Sequence, residues 1–158
     1  MRRRSARATA LRALFAIDLG KNDMESALRA ALAEEQPDPE GVPFARELLL
    51  GVLEHQSEID QSIGLLSRDW SLARLAAVDR NLLRLAIFEL SYRQEQTPMP
   101  VVINEAVELA KEYSTPESGR FVNGILGSYA RRTGAVAETT EQPAPALGAD
   151  DAEGGSQP

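Results

Sequence analysis

Apolar residues recur along most of the chain at the three- and four-residue intervals of amphipathic helices, and no segment alternates with the period of two that marks a strand. Leu11, Leu14, Phe15 and Leu19 form one such stripe, predicting a first helix from about Ser5 to Leu19 that Gly20 ends. Asn22 followed by Glu25 has the spacing of a capping box, and Met24, Ala27, Leu28, Ala31 and Leu32 carry a short second helix. The run Gln36-Pro37-Asp38-Pro39 stops it. Pro43 suits a helix start, and Phe44, Leu48, Leu49, Val52, Ile59, Ile63 and Leu66 keep a helical period to about Ser67. A break near Gln56-Ser57 would divide this stretch in two.

After the connector Arg68-Asp69-Trp70-Ser71, the segment Val78 to Arg93 is apolar around nearly its whole circumference, the mark of a central, buried helix. Trp70 reads as a wedge between two halves, and His55 as a surface or capping residue. Thr97-Pro98-Met99-Pro100 breaks the chain, after which Ile103, Ala106, Val107 and Ala110 line a helix reaching Glu112. Thr115 with Pro116 forms an N-cap and first helical residue for a last helix, with Phe121, Val122, Ile125, Leu126 and Tyr129 toward the core and an end near Arg132. The expectation is an all-α protein of about seven helices. Residues 1–133 make one helical domain with a basic arm at 1–7, and residues 134–158 form a tail too poor in apolar residues to order.

Composition narrows the chemistry. Cysteine is absent and His55 is the single histidine, which excludes a disulfide framework, a thiol nucleophile and the usual zinc sites. No apolar run is long enough for a membrane span or a signal peptide, so a cytoplasmic protein is expected, without membrane contact. The glycines form no nucleotide-cradling loop, and no cofactor is implied. The net charge of -7 is segregated: residues 134–158 hold Glu138, Glu141, Asp150, Asp151 and Glu153 with no base, leaving -2 for the rest. The first twelve residues carry Arg2, Arg3, Arg4, Arg7 and Arg12 and no acid. A near-neutral body with a strongly basic start suits an RNA-binding protein.

Residues 73–93, ARLAAVDRNLLRLAIFELSYR, together with VVINEAVELAKEYS at 101–114, RFVNGILGSYA at 120–130 and the opening RRRSARATALRALFAIDL, resemble the NusB family. The similarity runs over about residues 2–132. It implies a fold of two small helical bundles and a non-catalytic activity: binding single-stranded boxA RNA of ribosomal RNA leaders. The expected partners are a small-subunit ribosomal protein, also known as NusE, and the RNA polymerase elongation complex with other Nus factors. A homodimer covering the RNA face is a further expectation for some members.

Arginine offers a planar donor fork suited to phosphate and to stacking on bases, and Arg2, Arg3, Arg4 and Arg7 are the leading candidates for RNA contact. Arg3 and Arg7 share a helical face, whereas Arg2 and Arg4 are expected on a mobile arm. Phe15 either stacks a base or joins the core. Lys111 shares a face with Asn104 and Glu108; Glu117, Arg120 and Asn123 cluster near the start of the last helix, whose N-terminus suits a phosphate. Glu117 beside phosphate would be repulsive, limiting affinity or adding discrimination. Surface or capping roles are the plainer alternative for all of these. Glu105, Glu108 and Glu112 read as a solvated helix face, with no metal or acid–base partner in view.

Asp79, Arg80, Arg84 and Glu89 are the charges on the central helix, and some of them must be exposed or paired. The resemblance makes Asp79 and Arg80 candidates for the ribosomal-protein contact. Asp79 also suits the helix dipole without any partner. Two other functions stay open: a homodimeric scaffold whose arginines are merely solubilising, and a helical domain of an RNA methyltransferase, for which no catalytic domain follows. The acidic tail has a spread of roughly 25 to 30 Å as a random coil, enough to return its acids to the arginine start. A plain solubility tail is the simpler reading.

Overall fold

The computed structural model describes residues 2–20, 22–67 and 74–133, with only the backbone of Arg2. These residues form six α-helices: α1 (Arg2–Gly20), α2 (Met24–Glu35), α3 (Gly41–Leu66), α4 (Ala77–Tyr92), α5 (Met99–Tyr113) and α6 (Pro116–Arg132). The expected all-α class is observed, and the count is six because α3 continues unbroken through Gln56-Ser57. Helix α1 packs on α2 and α3, α5 packs on α6, and α4 touches α1, α3, α5 and α6. The expected wedge at Trp70 and the tail at 134–158 lie outside the described residues.

Helix ends follow local chemistry. Thr115 caps α6 by accepting a hydrogen bond from the Ser118 backbone N–H at 3.0 Å, with Pro116 in the first turn. At α2 the cap is Asp23, whose carboxylate accepts from Ser26 N–H at 3.2 Å, rather than the expected Asn22. Gln36 closes α2 in the left-handed region at φ 47°, and Pro37 prevents further helix. Helix α1 begins at Arg2, so residues 2–7 are its first turns instead of an arm.

Residues 6–11 in the middle of α1 are buried all round, which its small side chains permit: Ala6, Ala8 and Ala10 are buried. Thr9 is also buried, its hydroxyl donating to the Ser5 carbonyl at 2.9 Å. Leu82, Leu83, Leu85 and Ile87 sink the centre of α4, as its continuous apolar circumference requires. Arg80, Arg84 and Glu89 are paired with other helices. Arg80 donates to Asp18 of α1 at 2.7 and 2.9 Å, Arg84 to Asp60 of α3 at 2.8 and 3.0 Å, and Glu89 accepts from Arg7 of α1 at 2.6 and 2.9 Å. The two α1 pairs run in opposite sequence order on the two helices, so α1 and α4 are antiparallel.

On the outer side of α3 and α4, the His55 ring stacks on Tyr92 at 4.0 Å, and the Tyr92 hydroxyl donates to Glu58 at 3.1 Å. Beneath this stack Gly51 lets the helices approach, since a Cβ there would overlap the Phe88 ring. Gly51→Ala should therefore cost about 1–3 kcal/mol through overpacking. The check is the urea midpoint of unfolding, and the loss should shrink when Phe88→Leu is added.

Candidate nucleic-acid and partner interface

The arginines at the N-terminus have separate fates. Arg7 and Glu89 retain only 4% and 2% of their side-chain exposure and form a two-pronged ion pair in the core, so Arg7 does not present its guanidinium to solvent. Arg4 makes a fork to Glu105 of α5, both bonds at 2.8 Å. That hydrogen bond holds Glu105 below the ordinary carboxylate range and, with Glu108 and Glu112 also contributing charge, raises Arg4. Glu105 is thus a buried partner and not part of the solvated face expected for it. Arg3 is exposed and lies 4.0 Å over the Phe44 ring, which Arg93 and Arg7 also approach at 5.0 and 5.4 Å.

Arg12, which sequence reasoning passed over as a site residue, ties α1 to its neighbours by an ion pair to Glu35 and a 5.5 Å approach to the Tyr113 ring. The Tyr113 hydroxyl donates to the same Glu35 at 2.7 Å; burial, then this bond, pushes it up to about 12. The links Arg4–Glu105 and Arg12–Tyr113 are each eight residues apart on both helices. Helices α1 and α5 therefore run in the same direction, linked by these long side chains. Phe15, left between core and surface by its spacing, is 37% exposed.

Lys111 is exposed on the last turn of α5, its stem against Gly119 of α6 and its ammonium 3.5 Å from Glu108. Arg120 and Glu117 are about three-quarters exposed and 3.7 Å apart. Asn123 is exposed one turn along α6 from Arg120. It shares with Asn104, Ile103, Val107 and Arg131 the walls of a mainly apolar groove of about 600 Å³ between α5 and α6. Arg131 was missed; the available signal was its position eight residues beyond Asn123, on the same helical face. The structure thus gathers Lys111, Arg120 and Asn123 along the α5–α6 seam.

Asp79 and Glu117 meet at a second pocket of about 260 Å³, with Arg74, Ser118 and Phe121. The Asp79 carboxylate accepts from the Ser118 hydroxyl through Oδ2 at 3.1 Å, while Oδ1 is buried without a hydrogen-bond partner. An unsatisfied buried acceptor costs about 1–3 kcal/mol, which a donor from another molecule would recover. Arg80 is differently placed: it bonds Asp18 and also donates to the Leu75 carbonyl at 3.0 Å. Burial alone would raise Asp18, but hydrogen bonds from Arg80 and Asn81 and the charges of Arg80 and Arg84 outweigh it and hold Asp18 below its ordinary 3.8.

The geometry is that of a small helical protein presenting a polar seam beside an acidic pocket. Its class is the all-α antitermination fold: the solved NusB of T. maritima is 42% identical and superposes with a TM-score of 0.75, covering 82% of this chain and 90% of that one. A complex of antitermination factors NusB and NusE with double-stranded RNA matches at 29% identity and a TM-score of 0.74, covering 83% of this chain and 97% of that one. The transcription antitermination protein NusB of Desulforamulus reducens is 53% identical over 127 residues, 80% of this chain and 88% of its own length. That of Myxococcus xanthus is 48% identical over 128 residues, 78% and 91% respectively. The NusB family model matches residues 4–131, and the chain belongs to the NusB family.

Two measurements separate structural charges from available ones. Glu89→Gln leaves Arg7 buried without its counter-charge and should cost about 3–5 kcal/mol, whereas Glu117→Gln should stay within about 0.5 kcal/mol, both read from urea unfolding. Asp18, with its folded pKa depressed, stabilises the fold fully above its unfolded value and loses that contribution as pH falls through the folded one. Wild-type stability should accordingly fall more steeply than that of Asp18→Asn between about pH 5 and pH 2.

Proposed function

We propose that this chain is a non-catalytic, cytoplasmic antitermination factor that binds boxA-type single-stranded RNA of ribosomal RNA leaders. It does so together with a small-subunit ribosomal protein of the NusE kind, on the RNA polymerase elongation complex with other Nus factors. The observation that carries the reading is the exposure of Lys111, Arg120 and Asn123 along the α5–α6 seam, with Arg3 exposed at the start of α1, in a chain of this family. The solved complex of relatives with NusE and RNA supports both partner classes. Cations at Arg3, Lys111 and Arg120 supply attraction, and the Asn123 amide can read a base edge. Arg2 belongs with this set, at the start of α1. Phe15, partly exposed, is available to stack a base. Arg4 and Arg7 act mainly by fixing α1 against α5 and α4.

On the partner side, the unsatisfied Oδ1 of Asp79 offers an acceptor to a donor on the ribosomal protein, with Glu117 on the same pocket wall. Arg80 holds the helix that carries Asp79. A homodimer would compete if it covered the same seam.

The test is a titration of the full chain with boxA-type RNA, a scrambled RNA and a boxA duplex across salt. Three or four phosphate contacts give a slope of log affinity against log salt of about -2 to -3, at about 0.7 per contact on single strands. Arg3→Ala or Arg120→Ala should weaken every RNA and flatten that slope, whereas Asn123→Ala should lower the preference for boxA over scrambled RNA. Asp79→Ala, which deletes the acceptor, should remove the gain produced by the ribosomal protein and leave RNA binding by the chain alone unchanged. A slope near zero would refute the phosphate contacts, and a preference for the duplex would refute the single-strand reading.

A further inference from the structure

The groove between α5 and α6 has an apolar floor of Met99, Ile103 and Val107 and ends at Arg131. Every arginine on α4, and Arg4, Arg7, Arg12 and Arg46 elsewhere, has a carboxylate within ion-pair distance. At the end of α6, by contrast, Arg131 reaches the Ser128 hydroxyl at 3.5 Å, and no carboxylate among the described residues pairs with Arg131 or Arg132. The helix then stops at Arg132, and the described chain ends at Thr133, two residues past Arg131. Residues 134–158 carry the opposite charge: five acids, no base, and a short apolar run, Ala135-Val136-Ala137, just before Glu138.

We propose that this C-terminal segment, residues 134–158, docks in cis on the α5–α6 groove and competes there with RNA. Gly134 stands where the chain must turn back, a position that favours the residue with the widest backbone freedom. From Arg131 to Asn123 along α6 is eight residues, about 12 Å of helix, which about four extended residues cover. The run 135–137 therefore spans the apolar floor, and Glu138 and Glu141 come to the end of the groove where Asn123 and Arg120 lie. Burial of three small side chains is a weak attraction by itself. Tethering makes it sufficient, because a short linker holds the segment at an effective concentration in the millimolar range. The carboxylates then occupy the field that draws RNA phosphates, and salt weakens both in the same direction. The competition rests on the RNA binding proposed for the seam; the docking does not.

The chain has no cysteine, so Thr140→Cys in the full-length protein gives one attachment point for a nitroxide spin label. The expected result at low salt is selective broadening of the Ile103 and Val107 methyl signals, with Leu65 on α3, 70% exposed, unaffected as an internal control. Raising the salt, or adding Glu138→Gln with Glu141→Gln, should relieve the broadening. Uniform weak broadening at all three residues would overturn the docking. Equal broadening in a mixture of spin-labelled and isotope-labelled chains would overturn the cis arrangement in favour of a second copy. In parallel, Glu138→Gln with Glu141→Gln should raise affinity for boxA-type RNA about 3- to 10-fold at low salt, with the gain vanishing at high salt. Unchanged affinity with the broadening intact would overturn the competition. Absence of RNA binding by either chain would instead count against the RNA reading, the methyl signals still reporting on the groove.

Discussion

A guanidinium and a carboxylate sealed between α1 and α4 are the interaction around which the rest is arranged. Either ion alone in that place would cost several kcal/mol, so Arg7 and Glu89 must be formed as a pair whenever the core is formed. Their fork fixes the distance and register of the two helices, and Asp18 with Arg80 repeats the constraint toward the other end. Hydrophobic burial drives α4 into the centre but has no direction of its own. The charges supply the direction. Once α1 is locked against α4, Arg4 falls opposite Glu105, Arg12 opposite Tyr113, and Arg3 over the Phe44 ring.

This arrangement divides a run of arginines that looks uniform in sequence. Arg4, Arg7 and Arg12 hold α1 to its neighbours through carboxylates, whereas Arg3 is exposed over the Phe44 ring and is the one assigned to phosphate in the proposed function. The same division applies to the acids of α5, where Glu105 serves α1 while Glu108 attends Lys111 at the surface. Substitution at Arg7 would therefore disturb the core, whereas the proposed RNA contacts of Arg3, Arg120 and Asn123 can be altered without opening it. The α5–α6 seam joins exposed cations and an amide to an apolar groove, and so offers both attraction and a place for discrimination.

Much of this was legible in the sequence. Helical period, the Thr115-Pro116 start of α6, and the apolar circumference of α4 gave the class and the central element, because each depends on local spacing. That some of the charges Asp79, Arg80, Arg84 and Glu89 must be exposed or paired also followed from α4 alone. Which partners they find did not, since Asp18, Asp60 and Arg7 become neighbours only through the packing of separate helices. For the same reason Arg7 looked like a ligand residue and Glu105 like a solvated one. The cap at Asp23 in place of Asn22 is a smaller case: both residues can cap, and the entry angle of the chain chooses between them. Asn123 and Arg120 were found by their place in the RFVNG stretch, but the groove needed two helices side by side.

The central claim is that RNA meets the chain on the α5–α6 seam, with Arg3 of α1 contributing, while the buried pairs remain closed. Amide and methyl shift mapping of the full-length protein, titrated with boxA-type single-stranded RNA, tests it most directly. The account predicts perturbations at Arg3, along Lys111 to Asn123 and at Ile103 and Val107, with signals around His55 and Tyr92 unmoved. Perturbations concentrated on the His55–Tyr92 face, with the α5–α6 seam silent, would contradict it.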